Sequence, residues 1–176
     1  MRALVWIQVS KNGHLDVWDG WWDNPLSCLE FLTLGSKPAP QSVKFCLDGF
    51  ARSTISSCGG ILCNDNDIVR AIFFGPSEGI GVVAAVLLAF KTLDIFIQAG
   101  WIGHGELVIV TRLREVVSWF TSALLRPRIW WSFLASIDQS IYIIGRVKFQ
   151  YSPGNGNSNT TLLALDGASR KEMFQA

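Results

Sequence analysis

The chain has 176 residues, 49% hydrophobic, 12% aromatic and 16% charged, enough apolar material for one domain with its own core. A mean hydropathy of +0.31 with 8 Trp and 11 Phe excludes a disordered chain, which needs low hydrophobicity and high net charge. Lys and Arg number 15 against 14 Asp and Glu, a formal charge of +1, so nucleic acid could be bound only through a local basic patch.

Residues 1–42 differ from the rest. Trp6, Trp18, Trp21 and Trp22 crowd the start, and Ser36 to Ser42, with Pro38 and Pro40, reads as an extended linker because proline disfavours helix before it. The sequence therefore predicts a Trp-rich arm and linker over 1–42 and a folded domain over 43–176. The first residues run from a short apolar stretch into Ser10, Lys11 and Asn12 without a small-residue cleavage pattern. This predicts an intracellular protein, nuclear or cytoplasmic, rather than a secreted one. The longest apolar run, Val82 to Phe90, is nine residues, too short to span a bilayer. Cys28, Cys46, Cys58, Cys63, His14 and His104 form no pair at metal-ligand spacing, so the thiols are expected to be free and buried.

Val43 to Asp48 alternates at period two and precedes Gly49, a strand that delivers Asp48 at its carboxyl end. Ser57 to Cys63 and Ile68 to Gly75 follow as strands about an Asn-Asp turn, making a three-stranded antiparallel meander. Gly81 to Ala99 has apolar residues at helical spacing and stops at Gly100. Leu107 to Thr111 is apolar on both faces, as suits a buried central strand. Arg114 to Leu124 and Ile129 to Ile144 are predicted helices, Arg146 to Tyr151 a strand, Ser152 to Asn159 a loop and Thr160 to Met173 a closing helix. The result is an α/β domain, a five-stranded mixed sheet flanked by helices.

Within that order, five strings carry a resemblance: Val43 to Ala51 with its Asp48-Gly49 pair; Cys58 to Asp65; Ala85 to Lys91; Leu107 to Thr111 with Val117-Ser118-Trp119; and Leu163 to Gly167. Together they make residues 43 to 170 resemble the plant retrotransposon-derived ribonuclease H-like family. The resemblance implies a ribonuclease H-like fold and a metal-dependent RNA-DNA hybrid ribonuclease. Such an enzyme needs four carboxylates around two Mg²⁺, because these ions take oxygen ligands, activate water and neutralise the scissile phosphate.

Carried over by position, Asp48 keeps the first of the family's carboxylates. The second falls on Val86, the third on Arg112 and the fourth on Thr161, while the family's loop His falls near Tyr151. One carboxylate cannot hold two Mg²⁺, and a cation at position 112 repels one. The expectation is therefore a pseudoenzyme without a metal or other cofactor, with Arg112 replacing the lost positive charge by pairing with Asp48. Glu78, Glu106 and Asp166 are the acids left to rescue a metal if that alignment slips.

Residues 101–150 hold six Lys and Arg against three Asp and Glu, a locally basic half. Arg112, Arg126, Arg128 and Trp130 are the candidate nucleic-acid-binding residues, since Arg binds phosphate and Trp stacks on a base or sugar. The function expected is inactive binding of nucleic acid, either RNA/DNA hybrid or RNA. The alternatives are a protein-interaction module on the same fold and a residual hybrid ribonuclease.

Overall fold

The computed structural model describes residues 40–175 apart from 67, 80, 99, 101–104 and 154–157. All but the last three residues of the Trp-rich arm expected over 1–42, with Cys28 and His14, lie outside the described residues, as does His104. The elements run β1 (Val43–Arg52), β2 (Ile55–Asn64), β3 (Val69–Pro76), α1 (Val82–Ala89), α2 (Thr92–Gln98), β4 (Leu107–Thr111), α3 (Arg114–Thr121), α4 (Trp131–Ile144), β5 (Val147–Tyr151), α5 (Ser158–Gly167) and β6 (Phe174–Gln175). Two single-turn 3₁₀ helices, Ala123–Leu125 and Arg128–Trp130, join α3 to α4.

The strands form one mixed sheet in the order β5-β4-β1-β2-β3-β6. Strands β1, β2 and β3 are the expected antiparallel meander, and β4 and β5 add in parallel beside β1. The sheet thus has six strands among the described residues, one more than expected. The closing helix stops at Gly167, and the chain turns back to pair Phe174 with Phe74. Arg170 supports this return, lying 4.5 Å from the centre of the Phe74 ring and 5.0 Å from that of Phe174.

Side-chain alternation along the strands divides the core. Phe45, Leu47, Leu62, Phe73, Leu107 and Ile109 face one layer with α1, α2, α3 and α4. Cys46, Ile61, Cys63, Phe74, Val108 and Val110 face the other with Leu163 of α5. Under the first layer Phe120 of α3 stacks on Phe149 of β5, with ring centroids 4.2 Å apart and planes 3° from parallel. The single helix expected over Gly81 to Ala99 is two. The amides of Phe90 and Lys91 bond three residues back, to Leu87 and Leu88, and the Thr92 hydroxyl donates to the Ala89 carbonyl, so the helix tightens and turns. No helix among the described residues is long and apolar enough to cross a membrane.

Two glycines bring the layers close. A Cβ at Gly49 would lie 2.7 Å from the Val82 carbonyl oxygen and 3.0 Å from Ala85 Cβ, on the α1 side. A Cβ at Gly59 would lie 2.7 Å from the Ala164 amide nitrogen and 2.8 Å from Leu163 Cβ, on the α5 side. Ser57 of β2 then donates to the Ala164 carbonyl at 2.5 Å. Overpacking costs about 1–3 kcal/mol, and backbone lies at the Gly59 contact, so Gly59→Ala should destabilise by about 2–3 kcal/mol in urea unfolding. An unchanged midpoint would mean that α5 can lift off the sheet.

Cys46, Cys58 and Cys63 are buried in the sheet. Burial pushes the Cys58 thiol up from its ordinary 9.0 to about 12, because a thiolate has no solvation there. The folded chain keeps a proton that the unfolded chain releases. This contribution to stability is therefore complete below pH 9.0 and declines as pH rises toward about 12. Peptide mapping after iodoacetamide treatment at about pH 8 should find Cys58 unmodified in the native protein and alkylated after denaturation.

Candidate functional site

Asp48 sits mid-strand rather than at the strand end expected from the sequence, because β1 continues to Arg52 in its pairing with β2. Its parallel partner β4 is shorter. The parallel pairing, Val43 with Leu107 through Cys46 with Val110, places position 112 beside Asp48 when carried two residues on. Arg112 is there, just after β4 ends. On the other neighbour, Asp48 pairs with Gly59, where α5 crosses the sheet, and the crossing brings Thr161 over the carboxylate. Two features of topology, a parallel register and a glycine crossing, thus converge on one side chain.

The Asp48 carboxylate is 1% exposed, and its oxygens are engaged from three segments. The Gly49 amide donates to Oδ1 at 2.9 Å. Thr161 Oγ1 donates to Oδ2 at 2.5 Å. Arg112 Nε lies 2.7 Å from the same Oδ2, a charge contact without hydrogen-bond alignment. The first turn of α5, where Thr161 lies, adds the positive end of a helix dipole to these donors. The Arg112 side chain is 35% exposed, so the pair presents its cation outward and keeps its anion beneath.

Asp48, Arg112 and Thr161, placed at three family positions by sequence alone, are therefore in contact. Val86 is fully buried in the apolar layer, and its Cγ2 lies 3.1 Å from where a Cβ would stand at neighbouring Gly49. Asp166 lies along α5, 3.9 Å from Arg170. Glu78 is exposed, Glu106 is half-buried, and neither has a recorded contact with Asp48. Tyr151 lies beneath the Arg114 guanidinium, 4.6 Å from it. Among the described residues no three His, Cys, Asp or Glu side chains come together to ligate a metal.

This donor set does not suit the Mg²⁺ pair that the family resemblance implies. A hard dication needs several oxygen ligands, and here one carboxylate is present with both oxygens engaged. Arg112 also opposes a dication, by about 4 kcal/mol per unit charge pair at 4 Å and an effective dielectric of 20.

The second group of expected residues is divided by the structure. Arg126 is not the free phosphate contact expected. Its Nη1 and Nη2 form a fork on Asp138, at 2.5 and 2.9 Å, its Nε donates to the Trp119 carbonyl at 2.8 Å, and its plane lies over Phe120. The Asp138 hydrogen bonds raise its pKa above the ordinary arginine value, so the fork is a charged clamp between α3 and α4. Trp130 is likewise no open stacking platform, because it packs half-buried against the main core and edge-on to Phe133. The exposed indole is Trp131, with Arg128 5.8 Å over its ring. The spacing Ile141, Ile137, Leu134 leads back by helical steps to Trp130, so the pattern could have separated the two tryptophans.

Among solved structures the fold is similar to the LC11 ribonuclease H1 isolated from compost by a metagenomic approach, a structure solved with an RNA/DNA hybrid. That match has 12% identity over 72% of this chain and 96% of that one, with a TM-score of 0.65. It is also similar to the N-terminal ribonuclease H domain of a Mycobacterium tuberculosis protein, at 15% identity over 72% and 93% of the two chains, TM-score 0.64. Prototype foamy virus protease-reverse transcriptase matches over 74% of this chain and 21% of its own, at 14% identity and TM-score 0.59. No protein-family model and no curated protein matches the chain. The chain has the ribonuclease H-like fold.

The unequal exposure of the ion pair sets the order of mutational effects. Arg112→Gln leaves a buried anion with two donors, whereas Asp48→Asn leaves a guanidinium that water can reach. Breaking a fully buried pair costs about 3–5 kcal/mol, and partial exposure reduces this toward the surface range. Arg112→Gln should cost about 2–3 kcal/mol and Asp48→Asn about 1 kcal/mol in urea unfolding. The reverse order would place the burden on the arginine.

Proposed function

We propose that this domain is a non-cleaving ribonuclease H-like module that binds nucleic acid, RNA/DNA hybrid or RNA, without a metal cofactor. The observation that carries this reading is the closure of Asp48 by Arg112 and Thr161, which occupies the carboxylate that would have to bind metal. The nucleic-acid part is supported by the fold shared with a ribonuclease H1 solved on an RNA/DNA hybrid. It is supported also by Arg112, Arg114 and Arg128 at half-buried or exposed positions. The five sequence strings named above favour a plant retrotransposon-derived origin. A residual hybrid ribonuclease would need metal ligands beyond Asp48.

A second reading, a protein-interaction module, is favoured by one observation. Leu124 is 97% exposed, Ile129 79% and Trp131 55%, apolar residues on the α3-to-α4 connection and the first position of α4 of the kind that serve as a contact surface.

The two readings separate in a cleavage assay with Mg²⁺ and Mn²⁺ on a labelled RNA/DNA hybrid, run with a binding titration over a salt series. The expected outcome is no cleavage, with affinity falling steeply as salt rises. Metal-dependent cleavage lost in Asp48→Asn would overturn the non-cleaving assignment. Absence of binding at low salt would leave the protein-interaction reading.

A further inference from the structure

We propose that Arg112 is a phosphodiester-contacting residue, a fixed guanidinium that receives a backbone phosphate of the bound nucleic acid with no divalent cation between them. This inference rests on the nucleic-acid reading above and adds the contact, its position and its independence from metal. Arg112 enters the ion pair through Nε. No other contact is recorded for its guanidinium among the described residues, which leaves the two terminal nitrogens available. These are the atoms through which arginine grips phosphate as a fork.

The site beneath makes the side chain a fixed donor. Asp48 cannot swing away, because Gly49 and Thr161 hold its two oxygens, and it lies 1% exposed beneath a guanidinium that is 35% exposed. The outward surface is therefore cationic although the pair is formally neutral. Arg114, two residues on, lies over the Tyr151 ring, and Tyr151 pairs with Thr111, the last residue of β4. Two guanidinium groups thus stand over one buried carboxylate at the ends of β4 and β5, with Glu115 exposed on the first turn of α3 beside them. A hydrated dication is repelled there, and a phosphodiester is attracted.

The test is fluorescence anisotropy with a short labelled RNA/DNA hybrid, titrated over a salt series with EDTA and again with millimolar Mg²⁺. The proteins are the full chain, Arg112→Gln, and the double variant Asp48→Asn with Arg112→Gln, which leaves no buried unpaired charge and keeps the test independent of misfolding. Thermal melts confirm that the double variant folds. The parent should bind no more tightly with Mg²⁺ than with EDTA. The folded double variant should bind about tenfold more weakly, with a salt slope shallower by about 1. A folded double variant with parental affinity and slope would overturn the Arg112 contact while leaving the nucleic-acid reading intact. Binding that requires Mg²⁺ would overturn the metal-free contact. A parent that binds neither the hybrid nor a labelled RNA of the same length would overturn both.

Discussion

A carboxylate placed inside an apolar sheet must be neutralised where it stands, and the packing around Asp48 is arranged to do so. Of its three partners one is the next residue on β1, and two come from distant parts of the chain, the end of β4 and the first turn of α5. Arg112 reaches it only when β1 and β4 pair in parallel, and Thr161 only when α5 crosses over β2. The ion pair therefore reports tertiary assembly, and its formation waits on contacts far apart in sequence. Desolvating charges is costly, so the pair contributes more to specifying one arrangement of these elements than to net stability.

The sheet supplies what the pair needs through small residues. Gly59 opposite Asp48 lets α5 descend, and Gly49 beside it lets α1 approach from the other face. The same strand position is thus crowded from both sides, one by an apolar helix and the other by the helix carrying Thr161. Val86 is part of this arrangement. A valine on the α1 face completes an apolar layer, whereas a carboxylate there would need a cation, and the nearest one in the site is committed to Asp48.

Much of the fold was legible in the sequence because its signals were local. The bounds of β4 follow from an unbroken run of β-branched and aliphatic residues, and the meander follows from period-two alternation around an Asn-Asp turn. The Asp48-Gly49 pair and its relation to Arg112 and Thr161 were legible through the family resemblance. What escaped was set by long-range contacts. The Phe174 strand exists because the β3 edge and the Arg170 guanidinium receive it, and nothing in its own residues distinguishes it from a helix end. Arg126 beside Pro127 and Arg128 looks like a basic surface in one dimension. Asp138, twelve residues away, and a carbonyl on α3 turn it inward.

That inward turn has a consequence for the surface it leaves behind. The connection between α3 and α4 is mostly exposed and apolar, and such a segment would ordinarily sample many shapes in water. Here the guanidinium of Arg126 ties its middle to both flanking helices, while its own carbonyl accepts the Trp131 indole hydrogen at 3.1 Å. The backbone that carries Leu124, Ile129 and Trp131 is consequently tied in place, with the side chains of Leu124 and Ile129 standing in solvent. A molecule that lands on them meets a backbone already tied down, so less conformational freedom is lost in the encounter than on an untethered loop.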